Sequence, residues 1–108
     1  MAAVISYNIS DSAAELSVVG HAAYGPPGAN IVCASVSLLL QTLIYTVEGF
    51  LDLDVGYVVA EGASRVSCTF TDRETASMVM AAFETVMCGY ELLARKFPSE
   101  VHIEKAGD

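Results

Sequence analysis

The chain has 108 residues, 54% of them hydrophobic and only 17% charged, a balance that argues against disorder and for one domain with a real core. Its formal charge of −8 leaves just Arg65, Arg73, Arg95, Lys96 and Lys105 to neutralise phosphates, so no direct nucleic-acid partner is expected. An acidic surface suits a basic protein segment, although solubility alone explains the charge equally well.

Residues 3 to 9 alternate Ile5, Tyr7 and Ile9 with Val4, Ser6 and Asn8, which predicts a strand. Ser10-Asp11-Ser12 turns the chain into a second strand, roughly Glu15 to Gly20, and the two make a hairpin that ends at His21. A glycine- and proline-containing loop follows, Tyr24-Gly25-Pro26-Pro27-Gly28, and then Asn30 stands where a helix N-cap is favoured. The run Ile31 to Val47 carries no charge. It is short of an ordinary membrane span, holds Ser35, Ser37, Gln41, Thr42 and Thr46, and has no basic flank, so it reads as a buried central helix and no membrane partner is expected. Glu48 and Gly49 supply its stop, with Gly49 as the left-handed cap.

Val55 to Ala60 and Arg65 to Phe70 read as a second hairpin around Glu61-Gly62-Ala63-Ser64. Thr71-Asp72-Arg73-Glu74 has the form of a capping box and opens a long helix that must stop near Pro98. Val79, Phe83, Val86, Tyr90, Leu93 and Phe97 draw one apolar face along it, and Met78, Met80 and Met87 widen the apolar arc. A final strand spans about Glu100 to Lys105. The order is ββαββαβ, an α+β domain in which two helices pack on a mixed or antiparallel sheet.

Three cysteines, Cys33, Cys68 and Cys88, lack metal-ligand spacing, and the first residues lack the pattern of a signal peptide. A reducing, cytoplasmic setting is expected, with no metal and no cofactor. Cys68 reads as an inward strand position, Cys88 as a core residue of the long helix and His102 as structural. The remaining pair, His21 and Cys33, is different. If Asn30 caps the helix, Cys33 falls in its first turn, where free amides and the helix dipole favour a thiolate, and the loop folds the strand end carrying His21 back toward it. His21 would accept the thiol proton and later return it to a leaving amine.

Gly20-His21-Ala22, the short glycine-containing loop, and Asn30-Ile31-Val32-Cys33-Ala34 followed by Val36-Ser37 together resemble the ribosomal-processing cysteine protease family called Prp. The resemblance implies that His21 is the catalytic histidine, Cys33 the nucleophile and Ser37 a supporting position one helical turn later. It implies a homodimer, a fit with the surplus of apolar residues, and it implies as substrate the N-terminal extension of a large-subunit ribosomal protein of the L-twenty-seven type. Phage-encoded relatives that trim structural proteins are an alternative, as is a peptide-binding homologue that no longer cuts. One position departs from the family pattern: Asn30 stands where an Asp is expected, retaining a cap and a group able to orient imidazole but no negative charge. Gly25 and Gly28 give the loop unusual backbone freedom while its prolines stiffen it. That suits a semi-rigid flap over a substrate groove, with Tyr24 as a substrate contact or an anchor.

Overall fold

The computed structural model describes residues 2–20, 27–60 and 62–105, with 27–30 and 105 described by backbone alone. Alternation decides the strands. In β1 (Ala3–Ile9) and β2 (Ala13–Val19) the inward positions Ala3, Ile5, Ala14, Leu16 and Val18 are buried, and the two strands pair antiparallel with Ile5 opposite Val18. Helix α1 (Pro27–Tyr45) and a π-wound turn (Thr46–Phe50) lead to β3 (Gly56–Ala60) and β4 (Ala63–Thr69); α2 (Arg73–Lys96) and β5 (Val101–Lys105) complete the described elements. The expected ββαββαβ order is therefore present. The sheet is mixed, in the order β3-β4-β2-β1-β5, antiparallel throughout except where β5 lies parallel to β1.

Both helices are apolar on the flank that meets the sheet. Val32, Val36, Leu40, Leu43 and Val47 recur at helical spacing along α1 and its π turn, and all are buried. From α2 come Val79, Phe83, Val86, Met87 and Tyr90. Tyr7 ties α2 to the sheet: its hydroxyl donates to Glu84 at 2.7 Å while its ring stacks on Phe83. Burial, then the hydrogen bond and charge of Glu84, hold the Tyr7 phenol well above its usual range. The helices approach each other closely at Gly89, where an added Cβ would lie 2.7 Å from a Leu39 methyl. By length and composition the stretches Ile31–Phe50 and Arg73–Lys96 could each cross a membrane. In the folded domain each lays one flank on the core.

Several local expectations need correction. Helix α1 begins at Pro27 rather than after Asn30, because proline has its φ pre-set for a first helical position and no N–H to leave unpaired there. Its end is not a left-handed Gly49. The chain continues through a π turn in which the Leu51 amide donates to the Thr46 carbonyl at 2.8 Å, and the left-handed residue is Asp52, with φ 57°. The Leu53 amide then reaches back to the Val47 carbonyl, closing the wider helix end. The cap of α2 is Asp72, not Thr71: its carboxylate accepts from the Thr75 amide at 2.8 Å and from the Thr75 hydroxyl at 2.9 Å, so the reciprocal pair is Asp72 with Thr75. Met87 is buried, because α2 meets both α1 and the sheet and buries a wider arc than one stripe, whereas Cys88 is exposed. Cys68 is buried as expected, and His102 is exposed on β5. The strand β2 starts earlier than predicted, at Ala13, where it gains a partner in Thr69.

Tyr90 is fully buried and donates to the Val36 carbonyl at 3.0 Å, joining α2 to the middle of α1. Desolvation pushes its phenol far above its usual range. The folded state therefore holds a proton that the unfolded chain releases from about pH 10 upward, so stability is complete below that pH and falls as the pH rises through it. Thermal melts between pH 8 and 11 should show this alkaline loss, and Tyr90→Phe should reduce it to the part that the raised Tyr7 phenol contributes, while costing about 1 kcal/mol at neutral pH for the lost hydrogen bond.

Candidate active site

A groove of about 430 Å³ opens where α1 passes over one end of the sheet. Its helix side is formed by Cys33, Val36, Ser37 and Leu40; its sheet side by Val18 and Gly20, by Val59 and Ala60, and by the turn and start of β4 at Gly62, Ala63 and Ser64. Cys33 is exposed to it. The turn-by-turn geometry of α1 explains the helix side: residues four apart lie above one another, so Cys33 and Ser37 share a face, and Val36 and Leu40 turn partly toward the core beside them.

Gln41, one turn further, donates from Nε2 to the Ser37 hydroxyl oxygen at 2.9 Å. That bond joins two successive turns of α1 on the side that carries Cys33. Gln41 was not among the sequence-derived site residues, although the spacing 33, 37, 41 carries the signal. The α1 backbone is further braced by Ser35, whose hydroxyl donates to the Ile31 carbonyl at 2.8 Å, and by the Tyr90 bond to Val36.

On the opposite side, β2 ends in an unusual corner. Gly20 has φ +92°, and a Cβ there would stand 2.5 Å from the Ala2 carbonyl oxygen, so a side chain is excluded both by conformation and by backbone. Its amide donates to the Gly62 carbonyl at 2.9 Å, which fixes the end of β2 against the β3–β4 turn. Gly20 lines the groove that Cys33 faces, and His21 is the next residue in the sequence.

His21, Tyr24 and Gly25 lie outside the described residues, as do the side chains of 27–30, among them Asn30. The backbone of Gly28 and Asn30 belongs to the first turn of α1. That corrects the placement of the nucleophile candidate: counted from Pro27, Cys33 is the seventh helical residue, in the second turn rather than the first. The dipole effect fades beyond the first turn, and the amides without intrahelical partners are those of residues 28–30. Among the described residues no cluster of three or more His, Cys, Asp or Glu could hold a metal ion.

The model of the family described as cysteine protease Prp matches residues 1–102. The chain belongs to the cysteine protease Prp family. Its members are cysteine peptidases. None of the curated protein sequences compared with the chain matches it. Among solved structures, S. aureus Prp, described as an essential ribosomal processing protease in complex with a substrate peptide, superposes with a TM-score of 0.78 at 13% identity, over 95% of this chain and 98% of that one. A second S. aureus Prp structure, with a covalently linked product peptide, gives 0.74 at 15% identity over 95% and 98%. The protein SMU.848 of Streptococcus mutans gives 0.76 at 23% identity, with 97% of each chain covered. These likenesses show that the fold is shared over 95–97% of the chain.

Exposure separates the three thiols. Cys33 and Cys88 are exposed, whereas Cys68 is buried, and burial together with the Asp54 charge pushes its thiol above the usual range. Iodoacetamide applied to the native protein at neutral pH should alkylate Cys33 and Cys88 and leave Cys68 until denaturant is added, as read by peptide mass mapping.

Proposed function

We propose that this Prp-family chain removes the N-terminal extension of a large-subunit ribosomal protein of the L-twenty-seven type, with Cys33 as nucleophile and His21 as its base. One observation carries the assignment of residues: Cys33 and Gly20, the residue directly before His21, line the same groove. The substrate class rests on the family and on the related S. aureus enzyme, described as a ribosomal processing protease with a substrate peptide.

In this mechanism His21 takes the Cys33 proton, and the thiolate attacks the peptide carbonyl to give a tetrahedral oxyanion. Collapse expels the amine, which receives the proton from His21, and leaves a thioester at Cys33. Water, deprotonated by His21, attacks that thioester and frees the carboxylate and the thiol. The Ser37 hydroxyl, held by Gln41, supplies a donor beside the sulfur while it is anionic. Candidate oxyanion donors are the unpaired amides at the start of α1. The free cysteines fit a reducing, cytoplasmic setting.

The second reading, a homologue that binds peptide without cutting it, rests on Asn30 in place of the expected Asp. Mass spectrometry of a synthetic ribosomal-protein extension incubated with the protein separates the two. The parent should cut a single bond, and Cys33→Ala and His21→Ala should each lower the rate by at least about a thousandfold. Binding without cleavage, with activity restored by Asn30→Asp, would instead establish the silent homologue.

We also infer a homodimer formed through the outer face of α1. Ile31, Leu38 and Tyr45, seven residues apart, are all more than 60% exposed there, on a helix free of charge in a chain of net charge −8. An uncharged apolar face is where two such acidic copies can meet without repulsion. Analytical ultracentrifugation should give the dimer mass for the parent and the monomer mass for Leu38→Glu, with an unchanged circular dichroism spectrum.

A further inference from the structure

The two edges of the sheet are treated differently. At one edge, β5 reads Val-His-Ile-Glu-Lys, with His102 and Glu104 exposed, the kind of charged strand that discourages further pairing. At the other edge, β3 reads Gly-Tyr-Val-Val-Ala and carries no charge, no proline and no bulge in its register with β4. Every residue of β3 is exposed, and Tyr57, Val58 and Val59 are about half or more uncovered on both faces of the strand, at 49%, 58% and 51%. Since β4 is the only strand neighbour of β3 among the described residues, one row of its backbone N–H and C=O groups is directed away from the sheet. Such an edge is a template for an extended chain.

Two features decide which chain. First, the strand runs into the groove: Val59 and Ala60, its last residues, line the same space as Cys33. A peptide paired with β3 is therefore delivered, past Ala60, to the thiol. Second, the strand is flanked in sequence by Asp52 and Asp54 before it and Glu61 after it. Two copies of this chain related by a two-fold axis would pair their β3 strands antiparallel, setting the Asp54 end of each against the Glu61 end of the other. That like-charge meeting disfavours self-pairing, whereas a neutral or basic peptide meets no such penalty.

We propose that the free edge of β3 binds the substrate as an additional strand, so that a segment remote from the scissile bond is recognised through its backbone and positioned for Cys33. This rests on the reading of the groove as a peptide-cleaving site and adds to it an exosite that selects extended, non-acidic sequence. Recognition of this kind takes its affinity from main-chain hydrogen bonds and its selectivity from alternate side chains, here those that meet Tyr57 and Val59 on one face and Val58 on the other.

The probe is a synthetic peptide spanning the N-terminal extension of an L-twenty-seven-type ribosomal protein, with single N-methyl groups walked along its backbone. Its binding to the Cys33→Ala protein is followed by isothermal titration, and cleavage of the unmodified peptide by the parent is measured alongside. The expected result is a period of two: over several consecutive residues on one side of the bond, alternate N-methyl groups weaken binding about tenfold, and the intervening ones leave it unchanged. Hydrogen exchange of the parent fold should slow at alternate amides of β3, and not at β5, when the peptide is present. Cleavage of the peptide without either period-two pattern overturns the edge proposal and leaves the proposed function standing. The pattern without cleavage upholds the edge and overturns the catalytic reading; neither binding nor cleavage overturns both.

Discussion

The groove depends on a glycine corner at the end of β2. At φ +92° and with a backbone oxygen 2.5 Å from where a Cβ would stand, Gly20 is a position only glycine can hold, and any side chain there would cost on the order of 1–3 kcal/mol in backbone strain before the steric clash is counted. The corner turns the chain out of the sheet beside the Gly62 carbonyl to which it is hydrogen-bonded. Gly20 itself thereby stands at the rim of the groove, next to the turn that begins β4.

The other half of the arrangement is the seating of α1. Its buried stripe, Val32 to Val47, is what holds Cys33 in place: each turn that inserts an apolar residue into the core leaves its neighbour one position away on the groove side. Tyr90 fixes the register by reaching the Val36 carbonyl, and Gly89 lets Leu39 come close enough for that bond to form. A core helix and the helix that lines the groove with a thiol are thus the same element. That is why it can be uncharged over its length and still present an exposed thiol.

Most of this was legible in the sequence because period decides it. Alternation in β1 and β4 and the recurrence of Val79, Phe83, Val86 and Tyr90 in α2 name the elements and their buried faces. Cys33 and Ser37, four apart on a helix, had to share a side, and they line one groove. What was not legible turned on competition between adjacent residues of similar preference. Asn30 is the better cap by propensity, but Pro27 starts the helix; Thr71 and Asp72 both cap well, and the carboxylate wins because it can accept from both the amide and the hydroxyl of Thr75. Gly49 looked like a terminus because a π turn cannot be read from composition. Cys88 and Met87 sit at the margin of the α2 stripe, where the angle between two packing partners, not the sequence period, assigns one inward and one outward. The β3 end of the groove was missed altogether, because nothing local to Val59 and Ala60 announces which helix passes over them.

Among the described residues the groove is lined from β2, α1, β3 and β4 and the corners beside them, with no contribution from α2 or β5. Yet α2 supplies Val79, Phe83, Val86, Met87 and Tyr90 to the core on which α1 rests. During synthesis the ribosome would release every groove-lining residue before it releases the helix that holds them in place. A nascent chain carrying the thiol is then not yet a protease, and cutting activity arrives together with the completed fold, a safeguard for an enzyme built beside the particle whose proteins it is proposed to trim.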